Sequence, residues 1–150
     1  MADLAVHRHV TAKARRRRDD LWIALSALTA AMIALPCAQT SWNGAEVASV
    51  LAVSAIAMLA GQRWAIALVV IAELLLVPTV VPRAFAAGSV SAGIAPLLSV
   101  GMLVPGLLGM RRAAAALVLL TGWKRTQRTC RRFHVAMIFT LTLVGLVALF

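Results

Sequence analysis

Long apolar blocks, interrupted mainly by arginine, set the pattern of this chain. The blocks are residues 21–38, 46–61, 64–82, 84–110 and 133–150, with a shorter one at 113–123. A helix rises 1.5 Å per residue, so about 20 residues cross a hydrocarbon core of roughly 30 Å. Four of the long blocks are close to that length. The 27 residues of 84–110 exceed it, and Gly88, Gly93, Pro96, Gly101, Pro105, Gly106 and Gly109 show where the slack is used. That segment is expected to be a kinked span over 88–110, with its first residues at the surface. The 11 residues of 113–123 reach only about half way as a helix, which predicts a segment that lies in the interface or dips and returns.

The expected fold is therefore all-α, a polytopic integral membrane helical bundle of about five transmembrane helices. The spans fall at 21–38, 46–61, 64–82, 88–110 and 133–150, with one short interfacial helix at 111–124. Residues 1–20 form a basic cytoplasmic tail ahead of the membrane domain at 21–150. The basic start could be taken for a signal peptide, but no small-residue cleavage site stands out and Pro36 spoils the Leu35-Pro36-Cys37 box. Residues 21–38 are read as a retained span.

Composition agrees. The chain is 62% hydrophobic and 13% charged, against about 45–50% and 25% in ordinary globular proteins. A soluble chain of 150 residues could not hide so much apolar surface in one core. Lipid is the solvent, in the plasma (cytoplasmic) membrane.

The net charge of +10 would suggest nucleic acid in a soluble protein. Here the cations sit between apolar segments, which points to the cytoplasmic bias of Lys and Arg. With the N-terminus inside and five spans, 14 basic residues lie inside and only Arg83 outside. Making 113–123 a sixth span leaves 9 inside and 6 outside, so five spans are favoured and the C-terminus lies on the far side. Trp22, Trp42, Trp64 and Trp123 all fall at expected span ends, the headgroup level where indoles partition.

Chemistry is sparse. Glu73 is the one ionisable side chain placed mid-membrane, with Arg63 and Arg83 each ten residues away, roughly 15 Å along a helix. An acid at that depth has to be neutral, paired or next to water, and such residues are functional candidates by default. The expectation is a neutral Glu73 facing the bundle interior. Thr29, Ser54, Ser99, Thr140 and Thr142 are expected near its level as hydrogen-bond partners. Glu73, Thr29, Ser54 and Ser99 form the candidate intramembrane proton or ion site, and interhelical glue is the bland alternative.

Lys124, Arg125, Arg128, Arg131 and Arg132 form a candidate anionic-lipid contact beside Trp123, unless they only set orientation. The spacings Ala27/Ala31, Ala48/Ala52 and Ser89/Gly93 allow close backbone approach. His7, His9 and His134 make no constellation, and Cys37 and Cys130 are expected at opposite membrane faces. No cofactor, metal site or enzyme activity is expected.

The partners implied are the lipid bilayer, other membrane subunits or self-association, and anionic lipids; nucleic acid is not expected. The functional expectation is a non-catalytic subunit, regulator or assembly factor acting through helix contacts and a basic cytoplasmic face. The alternative is a small proton- or cation-linked transporter using Glu73.

Overall fold

The computed structural model describes residues 2–38, 44–86, 88, 90–122 and 126–149. All the elements among them are helices: α1 (Ala2–Ala38), α2 (Gly44–Leu59), α3 (Ala65–Ala86), α4 (Val90–Leu108), α5 (Met110–Leu120) and α6 (Gln127–Leu149). Helix α1 packs against α2 and α4, while α3 touches each of the other five. Helix α6 rests on α3 and α5. Among the described residues two helices are long and apolar enough to cross a membrane, over Ala14–Pro36 and Ala65–Arg83, and there are three spans if α4 and α5 together make one. Helix α2 is apolar but shorter.

The interior is built from small residues and the exterior from large ones. Ala24, Ala27, Ala30, Ala31 and Ala34 are fully buried on one stripe of α1, at the spacing that puts them on a single helix face. They meet Ala48, Leu51 and Ala55 of α2, and the buried Ser99 of α4 donates a hydrogen bond to the Ala30 carbonyl at 3.3 Å. Without bulky side chains the backbones come close, which is how helices associate where lipid removes the hydrophobic drive between them. Trp22, Met32, Val53, Phe85, Leu108 and Phe139 point outward instead, each more than half exposed. Outward apolar side chains of this size are compatible with helices that meet lipid.

Three features of the fold have local causes. First, α1 runs without a break from Ala2 through the basic segment into the first apolar block. No Gly or Pro occurs before Pro36, and Ala, Arg, Lys and Leu all favour helix. Second, the sharp turn of the fourth apolar segment falls at one of its glycines, where the helix is broken. Pro96 and Pro105 stay inside α4, and the chain turns by 59° at Gly109, between α4 and α5. Gly109 N–H donates to the Gly106 carbonyl at 2.7 Å, and a Cβ on Gly109 would lie 2.9 Å from that same oxygen. Glycine fits this tight turn and alanine would crowd it.

Third, α5 does not merely lie on the bundle. Its Ala113, Ala114 and Val118 are buried, with Ala113 and Ala114 in one cluster with Val70 and Leu74 of α3 and Met137 of α6. Leu119 and Leu120 stay exposed on its other side.

The α2–α3 turn closes with a left-handed glycine. Gly61 has φ +88°, its N–H donates to the Met58 carbonyl at 3.0 Å, and Gln62 N–H donates to Ala57 at 3.1 Å. This paired pattern ends a helix sharply and satisfies two of its last carbonyls. It also fixes where Arg63 leaves the bundle. Pro78 in α3 cannot donate to the Leu74 carbonyl, and nearby Thr79 Oγ1 donates to Leu76 at 2.7 Å, so a hydroxyl supplies a donor to the loosened backbone.

The alanine stripe yields a clear expectation. Ala27→Leu should destabilise the protein by about 1–3 kcal/mol, as overpacking does. Met32→Leu, on the exposed side of the same helix, should change it by less than about 0.5 kcal/mol. Unfolding in mixed micelles with a denaturing detergent measures both, and equal effects would contradict the packing described.

Candidate functional site

Glu73 is fully buried at the middle of α3. One turn away on either side its own helix presents Val69, Val70, Leu76 and Val77, all buried, so the carboxyl is surrounded by aliphatic groups on the face that enters the bundle. The expectation that Glu73 faces the interior is met. Among the described residues neither carboxyl oxygen has a hydrogen-bond partner.

The hydroxyls expected around it are elsewhere. Thr29 is exposed and donates to Leu25 at 2.8 Å, and Ser54 donates to Val50 at 2.7 Å. Ser99 is committed to Ala30 of α1. Thr140 and Thr142 are exposed and turn back to Ala136 and Ile138. The grouping of Glu73 with Thr29, Ser54 and Ser99 is thus not assembled. The reason is local: a Ser or Thr in a helix reaches its own carbonyl three or four residues back at little conformational cost.

What meets Glu73 is a residue the sequence reading did not pair with it. A Cβ built on Gly106 of α4 would overlap both carboxyl oxygens. Position 106 is a notch that only a hydrogen at Cα leaves open. It lies two residues from the end of α4, so α4 ends against the middle of α3. A sequence signal existed in the glycines of 88–110, but depth counted from block ends pointed to Ser99 rather than Gly106.

Of the proposed anionic-lipid residues, Lys124 and Arg125 lie outside the described residues, as does Trp123. Arg128, Arg131 and Arg132 are exposed on the first turns of α6, and with Val135, Ala136 and Phe139 they line a shallow furrow of ≈490 Å³. These positions recur every three or four residues, so one helix face carries guanidiniums and then apolar groups. His134 is half-buried beside them. The side chains of His7, His9 and Cys37 lie outside the described residues, and Cys130 is a free thiol, partly buried. Among the described residues no cluster of His, Cys, Asp or Glu could hold a metal ion.

A second basic region was not visible as a unit in sequence. Arg16 and Arg17 of α1, Arg63 of the α2–α3 turn and Arg112 of α5 surround one hollow of ≈800 Å³ at one end of the bundle. Asp20 sits with them and pairs with Arg112. Arg83 is in the last turn of α3, at the opposite end of that helix from Arg63.

The Glu73–Gly106 contact can be measured. Gly106→Ala should cost about 1–2 kcal/mol, because the added methyl has to displace the buried Glu73 carboxyl, the movable end of its side chain. Glu73→Ala in the same chain should recover most of that loss, giving a coupling of about 1–2 kcal/mol in a double-mutant cycle. Additive effects would mean the two residues do not touch. Glu73→Gln keeps the shape without the ionisable group and should preserve expression and a monodisperse detergent extract. No family model, no curated protein and no solved structure matches this chain.

Proposed function

We propose that this chain is a multi-pass membrane protein that works without catalysis, as a subunit, regulator or assembly factor acting through helix–helix contacts. In this reading α1, α2, α3, the α4 segment and α6 are five spans and α5 is an inner-side helix. The N-terminus is cytoplasmic, the C-terminus lies on the opposite side, and the compartment is the plasma membrane. The gathering of Arg16, Arg17, Arg63 and Arg112 at one end, with Arg83 at the other end of α3, supports that orientation.

One observation carries the choice of class. Glu73 is sealed against Gly106, and the hydroxyls of Thr29, Ser54 and Ser99 are all spent on backbone carbonyls. A carrier needs polar groups that meet a substrate and line a way to it. The resources this molecule offers instead are outward apolar surfaces, such as Ile138, Phe139, Leu143 and Leu146 on α6. Those fit a partner helix or a second copy.

The second reading is a small proton- or cation-linked transporter, favoured by a buried carboxyl that has no hydrogen-bond partner among the described residues and lies near the α4–α5 break. The two readings separate in one pair of experiments. The subunit reading expects the full chain to co-purify with defined membrane proteins after mild cross-linking, unchanged by Glu73→Gln. It also expects proteoliposomes to show no Glu73-dependent proton or cation flux. Flux that Glu73→Gln abolishes would replace it with the transporter reading.

A further inference from the structure

The hollow at the basic end of the bundle is assembled from three separate parts of the chain. Helix α1 contributes Arg16 and Arg17, the α2–α3 turn Arg63, and α5 Arg112. Asp20 is the carboxylate among the residues lining it, and it is engaged with Arg112. Three guanidiniums are left without an acidic partner among the described residues. Each side chain starts from a helix or a hydrogen-bonded turn. The unbroken α1 helix places Arg16 and Arg17 one turn before Asp20 and Leu21, and the left-handed Gly61 turn sets Arg63. The ion pair between α1 and α5 ties the remaining wall.

Apart from Gln62 and the turn glycine Gly61, the rest of the lining is apolar. Ile66 is buried in the floor, while Leu59 and Leu119 stand exposed at the rim. A cluster of arginines above a greasy wall, open beside lipid-facing leucines, matches an amphiphile with an anionic head. A soluble phosphate would leave the apolar wall unused. The volume of ≈800 Å³ suits a headgroup with the upper part of its chains.

We propose that this hollow binds the phosphate headgroup of an anionic phospholipid, with Arg16, Arg17 and Arg63 contacting the phosphate and the acyl chains running past Leu59 and Leu119. The proposal rests on the membrane-embedded reading given above and adds a ligand class to its basic face. It is distinct from the exposed arginine row on α6.

The test uses the full chain in neutral detergent, titrated with short-chain phosphatidylglycerol, short-chain phosphatidylcholine and inorganic phosphate, and read by native mass spectrometry. Wild type should bind phosphatidylglycerol at least about tenfold more tightly than phosphatidylcholine, and inorganic phosphate in the millimolar range should not displace it. The combined variant Arg16→Gln, Arg17→Gln, Arg63→Gln should lose affinity on the order of tenfold to a hundredfold, as expected for three cations near an anionic surface. Arg128→Gln, Arg131→Gln, Arg132→Gln should change it by less than about threefold.

If the first triple variant fails to fold, Arg63→Gln alone, on an exposed turn, should still weaken binding about fivefold. Equal losses in both triple variants would reduce the effect to general surface charge and overturn the site. Displacement by inorganic phosphate would reassign it to a soluble anion. A chain that never enters vesicles refutes the membrane reading, whereas one that inserts but binds both lipids equally refutes this site alone.

Discussion

Close approach of helix backbones along the α1 alanine face is the constraint on which the rest depends. For helices that cross a membrane, as proposed above, no solvent drives apolar side chains together, so association comes from contact area and a few interhelical bonds. Five fully buried alanines let α2 and α4 settle against α1, and the Ser99 hydroxyl bonding to Ala30 joins α4 to it. With α2 and α4 held this way, α3 fits between them, and its middle face becomes interior. Glu73 is buried because α1 brings α4 close.

The same rule of small residues explains the environment of the acid. Gly106 takes the place where any side chain would collide with the Glu73 carboxyl, and Gly109, three residues on, permits the 59° turn into α5. Close packing and the bend into α5 are thus served by two glycines three residues apart. Helix α5 can then fold back so that Ala113 and Ala114 meet Val70 and Leu74. The carboxyl, the notch and the break form one structural unit, and a role in holding α3 to α4 is compatible with either functional reading.

Charge is organised at a coarser scale. Arginines dispersed over a hundred positions of sequence converge at one end of the bundle because α1 enters as a continuous helix and the α2–α3 turn is tight. A single half-exposed pair such as Arg112–Asp20 adds little stability. It links the first turn of α5 to α1 at the end of the bundle where Arg16, Arg17 and Arg63 also lie.

The sequence by itself determined the helical class, the places of α2 and α3 to within a few residues, the inward aim of Glu73 and the clustering of cations at block ends. These follow from block length, from the cost of burying backbone polar groups outside helices, and from where charges can reach water. Tertiary structure decided that Glu73 faces Gly106 rather than Ser99, because depth along a helix depends on where its neighbour stops. It decided that the sharp bend falls at Gly109 and not at Pro96 or Pro105, since only there does a second helix need to turn into the bundle. It also turned Arg16, Arg17, Arg63 and Arg112 into one cluster. Contacts between residues so far apart in the chain leave no periodicity to read, and only packing brings them together.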